Sequence, residues 1–191
     1  MMKRFIPLLL LAGVMIVAYY FIFSNEEWND EGSLSKGFLS EEQKYLESLT
    51  EKEIQKQVFY TMPLEVLKPQ FGGKVFCASE IFGFNVDPED LILDVYLWGY
   101  CEEYYIKGET ITLGTGVSEP IKLAFKNDGK RLTFDSVITP KDGDEYENSI
   151  RVIFPEEHVK QALEGVDTKQ MVPSPKTQAD NYYTGKLEVY F

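Results

Sequence analysis

The stretch Phe71–Glu103, FGGKVFCASEIFGFNVDPEDLILDVYLWGYCEE, decides the fold. Two runs of strand-forming residues flank Asn85-Val86-Asp87-Pro88-Glu89-Asp90, a cluster of turn formers. In the first run Val75, Cys77, Ser79 and Ile81 share one face, and Phe76, Ala78, Phe82 and Phe84 the other. In the second run, Leu91 to Ile106, the residues Leu91, Leu93, Val95, Leu97, Gly99 and Cys101 point one way. Ile92, Asp94, Tyr96, Trp98, Tyr100 and Tyr104 point the other. The aliphatic set predicts a core face. The aromatic set predicts a face that covers a helix or lines a groove. A strand apolar on both faces belongs in the middle of a sheet.

Cys77 and Cys101 are the only cysteines in the chain. If a three-residue loop places Asp87 opposite Leu91, ten further steps outward along each strand set Cys77 opposite Cys101. A slip of one residue would put them on opposite faces. The sequence thus predicts a disulfide, against the alternative of two buried free thiols. Closing a loop of this length contributes ~3 kcal/mol in the chain-entropy account. A catalytic thiol is disfavoured, because His158 is the only histidine and the acidic surroundings raise a thiol pKa.

Outward from this hairpin toward the N-terminus, Lys3 and Arg4 precede an uncharged apolar run of 19 residues, Phe5–Phe23. At ~1.5 Å per residue it nearly matches a ~30 Å hydrocarbon core. The run ends in bulky Tyr19-Tyr20-Phe21-Ile22-Phe23, without a small-x-small cleavage site or a lipid-attachment cysteine. It reads as an uncleaved signal anchor in preference to a cleaved signal peptide. Positive charge before the run, and acidic Glu26, Glu27, Asp30 and Glu31 after it, predict a cytoplasmic N-terminus and an extracytoplasmic remainder. The expected division is an anchor at 1–23, a juxtamembrane linker at 24–38, a folded domain at 39–165 and a polar tail at 166–191. Lys186–Phe191 could add an edge strand to that domain.

Two capping boxes, Ser40-Glu41-Glu42-Gln43 and Thr50-Glu51-Lys52-Glu53, predict short helices over 41–49 and 51–60 with a bend at Thr50, the segment ending at Pro63. One continuous helix is the alternative. Beyond the hairpin a short strand at 109–113 is expected to end in a Gly114-Thr115-Gly116 turn. Ile121–Lys126 and Leu132–Ile138 flank Asn127-Asp128-Gly129, a hairpin signal. Ser149 is read as the cap of a short helix through Phe154, and Pro155 as the start of a closing one. The class is α+β: short helices, a four- to five-stranded antiparallel meander and a closing helix, in a cystatin-like or NTF2-like layout.

Charge narrows the function. With 31 acidic against 19 basic residues, the net charge of −12 argues against nucleic-acid binding, which needs cations to displace counterions from phosphate. Gly114-Thr115-Gly116 lacks the strand–loop–helix context of a dinucleotide site, and the acids of Thr139–Tyr146 lack the calcium-loop spacing. No cofactor or metal is expected. The candidate binding residues are Tyr96, Trp98, Tyr100 and Tyr104. They suggest a membrane-anchored module that binds a protein or a cell-envelope component and is not an enzyme. Two rivals are an envelope hydrolase using carboxylates drawn from Glu102, Glu103, Asp142 and Asp144, and an inhibitor of a secreted enzyme acting through Val86–Asp90.

Four segments carry a resemblance: FCASEIFGF from Phe76, DVYLWGYCEEYYI from Asp94, GVSEPIKLAF from Gly116 and PKDGDEYENSIRVIFPEEHV from Pro140. Together they resemble a family of small exported or lipid-anchored proteins of Gram-positive bacteria, mostly described as hypothetical. The resemblance covers about Phe71 to Val159 and implies an exported domain without an assigned activity. The absence of a lipid-attachment cysteine after the apolar run favours an anchor helix in this chain.

Overall fold

The hairpin forms as β1 (Lys74–Asp87) and β2 (Ile92–Lys107), followed by β3 (Thr110–Asn127) and β4 (Leu132–Ile138). Among the described residues they build one antiparallel sheet in the order β1-β2-β3-β4, with β2 interior and β1 an edge. This computed structural model describes residues 39–186. The expected anchor and linker, and all of the expected edge strand Lys186–Phe191 beyond Lys186, fall outside the described residues. Among those residues no helix is long and apolar enough to cross a membrane.

The register of the hairpin has two departures that cancel. Asp87 pairs with Ile92, one residue later than expected, around a four-residue turn in which Leu91 takes φ 57°. Carried outward unchanged, that register would set Cys77 against Glu102. A bulge between Ile81 and Gly83 leaves Phe82 unpaired and steps the ladder back. Cys77 therefore faces Cys101, and the two are joined by a disulfide with a Cα–Cα distance of 4.1 Å. The bridge is buried, with the cysteines 2% and 0% exposed.

The meander has four strands, because the two segments read as separate are one. Tyr104 pairs with Leu113 and Glu102 with Gly116, so Gly114 and Thr115 bulge out of a continuous β3 where a turn was expected. The Asn127-Asp128-Gly129 hairpin forms as read. Asp128 Oδ1 accepts the amides of Lys130 and Arg131, and Gly129 takes φ 87°.

Helices α1 (Glu41–Ser48) and α2 (Glu51–Glu65) cover the aliphatic face. Leu46, Ile54, Val58 and Met62 pack there with Leu93, Val95, Leu97, Ile121, Leu123 and Phe125 into the main core. Thr50 and Glu53 close the second capping box reciprocally and start α2. Pro63 sits inside the last turn of α2 and does not end it. The amide it lacks would have bonded only the Phe59 carbonyl one turn earlier, and so near the C-terminus the loss is confined to that one bond.

The aromatic face carries a second, smaller core under α3 (Tyr146–Ile153) and α4 (Glu156–Glu164), built from Tyr96, Ile150, Phe154, Val159 and Ala162. Helix α3 starts at Tyr146, so Ser149 lies within it. Its hydroxyl donates to the Tyr146 carbonyl and accepts the Lys141 amide, serving as a brace and not a cap. The segment read as a polar tail contains α5 (Pro175–Thr184), packed on β1 and β2. Ser174 caps it, Pro175 opens it and Gly185 ends it in the left-handed conformation. Ala179 is fully buried.

Candidate functional site

The four aromatic residues of β2 divide into two kinds. Tyr96 and Tyr104 are buried, 6% and 4% exposed, while Trp98 and Tyr100 between them are half-buried. Tyr96 packs under α4, its ring 5.8 Å from Phe154 and 5.9 Å from His158. Burial, then the negative charges of Asp94 and Glu157, raises its hydroxyl pKa. Tyr104 packs on Phe76 beside α5, and the Tyr183 hydroxyl donates to its carbonyl at 2.7 Å.

The strip between these helical covers is held from below. Trp98 Nε1 donates to Ser118 Oγ on β3 at 2.9 Å, and the ring runs beneath Gly165 at the end of α4. A β-carbon on Gly165 would sit 3.4 Å from the indole. The Tyr104 hydroxyl donates to Glu102 Oε2 at 2.6 Å, and Tyr100 lies near the same carboxylate. Burial, then the Glu102 carboxylate, pushes Tyr100 up to about 12, and the same causes raise Tyr104. The strip therefore presents an indole and a phenol from one strand, the indole held by a serine hydroxyl and the phenol near a carboxylate. Such a surface stacks on flat or apolar ligand faces and accepts hydrogen bonds at its rim.

Two carboxylates of the hydrolase reading, Glu102 and Glu103, do not converge. Adjacent on β2, Glu102 and Glu103 point to opposite faces. Glu103 is 0% exposed, and its oxygens accept the amides of Gln70, Phe71 and Gly73, each at 2.8 Å. Burial alone would raise its pKa; those bonds together with one from Thr115 outweigh it and hold the carboxyl below the ordinary range. Glu103 is thus a tether for the chain entering β1. Asp142 and Asp144 are exposed in the segment before α3. A carboxylate outside the expected pool, Glu119, is half-buried beside Asp142, and burial, then that charge, raises its pKa. Sequence carried no signal for either role, since both depend on segments distant in the chain.

The turn of the inhibitor reading is braced. Asp87 Oδ1 accepts the amides of Glu89 and Asp90, and Gln43 of α1 donates to the Pro88 carbonyl at 2.9 Å. Elsewhere on the aromatic face Lys122 and Asp94 pair at 2.8 Å with both side chains about one-fifth exposed, 20% and 19%.

No family model, curated protein or solved structure matches this chain.

Proposed function

We propose that this protein is a membrane-anchored extracytoplasmic binding module, of the exported Gram-positive kind it resembles, that takes its ligand on the Trp98–Tyr100 strip. One observation carries the reading: two half-buried aromatic residues lie between the covers of α4 and α5, with the Trp98 indole fixed by a hydrogen bond to Ser118. Rigid aromatic rings lose little entropy on contact, which suits a binding surface. The apolar run Phe5–Phe23 supports the anchor, and the buried disulfide fits an oxidising compartment. The ligand is a protein or an envelope component presenting an apolar or sugar face, without strong negative charge, given a net charge of −12.

The chain has two tryptophans, so Trp28→Phe leaves Trp98 as the only indole. Its emission, titrated with soluble envelope glycan fragments and with extracytoplasmic proteins, should shift for a true ligand. Binding that leaves Trp98 emission unchanged, and persists in Trp98→Ala, places the ligand elsewhere and removes this reading. A second reading, acid-assisted hydrolysis, rests on the raised carboxyl of Glu119 beside Asp142. It requires that Glu119→Gln abolish any envelope hydrolysis the protein shows.

A further inference from the structure

Among the described residues β1 is an edge strand with one side free of strand pairing, and that side is only half closed. The Cys77 carbonyl points away from β2 and receives the Gln178 side-chain amide at 2.6 Å. The same amide donates to the Pro173 carbonyl at 3.1 Å. A glutamine from α5 thus stands where the amide of another strand would stand. In antiparallel pairing, alternate residues turn both backbone polar groups to the same side. Ser79 and Ile81 share the phase of Cys77, because the bulge comes only after Ile81. Their amides and carbonyls therefore face outward too, and among the described residues none of those groups has a partner.

A cleft of about 290 Å³ runs along these positions. Gln55 and Phe59 of α2 form one wall, and Val172 and Pro173 form the other. No lining residue is charged. Val172 is 91% exposed beside it. Edge strands are normally guarded by lysine, proline or a bulge within the strand. From Val75 to Ile81 this one has none of these, only the exposed Glu80. The disulfide at Cys77, one of the lining residues, fixes the strand against β2.

We infer that this edge binds an extended peptide segment of a partner protein, which joins β1 as an added strand through the backbone groups of Ser79 and Ile81. Backbone bonds give such a complex its affinity, and alternate side chains seat in the cleft. The uncharged walls require uncharged residues at the seated positions. Glu80 and the net charge of −12 favour lysine or arginine on the flanks. The site is separate from the Trp98–Tyr100 strip, which lies on a face of β2.

The test uses the full chain in detergent micelles and amide hydrogen exchange. The probe is a synthetic peptide of alternating valine and threonine with lysine at each end. Two controls accompany it: the same peptide with alternate backbone nitrogens methylated, and one with glutamate ends. The lysine-ended peptide should slow exchange at Ser79 and Ile81 about tenfold or more, and the methylated one should not. Ser79→Pro removes one outward amide, a change edge strands tolerate, and Val172→Asp charges a wall at an exposed position. Each should weaken binding about tenfold, with the fold checked by thermal melting. Unchanged exchange with the peptide at saturating concentration overturns the proposal. So does equal protection by the methylated or glutamate-ended peptide, or protection of both amides without peptide that grows with protein concentration, which would make the occupant a second copy.

Discussion

Gly83 lies directly beneath the ring of His158: a β-carbon on Gly83 would come within 2.3 Å of Nε2. The two belong to the bulge in β1 and to α4, so this contact sets how closely α4 approaches the sheet. Gly83→Ala should destabilise the protein by about 1–3 kcal/mol through forced displacement of α4. His158→Ala alone should cost less, and the double variant should recover much of the Gly83→Ala loss. Denaturant unfolding of the four proteins in a double-mutant cycle checks this. Simple additivity would mean that the ring does not occupy the space above Gly83.

The disulfide joins the hairpin near its open end and is buried. Replacing Cys77 and Cys101 together by alanine should lower unfolding stability by about 3 kcal/mol, mainly through the freed unfolded chain. Without denaturant, the wild-type bridge should resist reduction, because neither sulfur is accessible. Alkylation followed by mass measurement, with and without reductant, reads both states. Rapid alkylation of native protein after mild reduction would contradict this burial.

The hairpin was legible because alternation of apolar and polar residues reports strand phase directly. Its cysteine pairing came out as read only because the longer turn and the Phe82 bulge offset each other. Gly83, placed inside a strand, was the available sign of that bulge. Gly114-Thr115-Gly116 carried a similar sign, and a bulge and a turn use the same residues. Helix α5 was hidden by its polar sequence, although Ser174-Pro175 followed by Gly185 frames it by capping chemistry. That Trp98 and Tyr100 stay half-buried while Tyr96 and Tyr104 do not was beyond pattern reading. It depends on where α4 and α5 land, which tertiary packing decides.

The pair Tyr100 and Tyr104 makes stability sensitive to alkali. Both hydroxyls titrate above their ordinary value of about 10 in the folded protein. Above that value the unfolded chain ionises first, so the folded state holds more protons and loses stability as pH rises. Glu102→Gln removes the negative charge and should lower both tyrosine pKa values. Ultraviolet difference titration should then show tyrosinate forming earlier. An unchanged titration would mean that Glu102 does not govern these hydroxyls.

Glu103 governs the acid side. Its carboxylate gathers the amides of Gln70, Phe71 and Gly73, which orders the chain just before β1, and it has no exposure to water. Because its folded pKa is depressed, its contribution is fully present above the ordinary glutamate value of about 4.3. That contribution is lost as pH falls through the lower folded value. Glu103→Gln turns an amide group toward donors that need an acceptor, and should cost about 2–3 kcal/mol near neutral pH. The variant should also lose part of the acid limb, so that the two proteins converge in stability at low pH. Exchange at Gln70, Phe71 and Gly73 should quicken before global unfolding. Equal stability at pH 7, or parallel acid limbs, would show that the tether does not hold this loop.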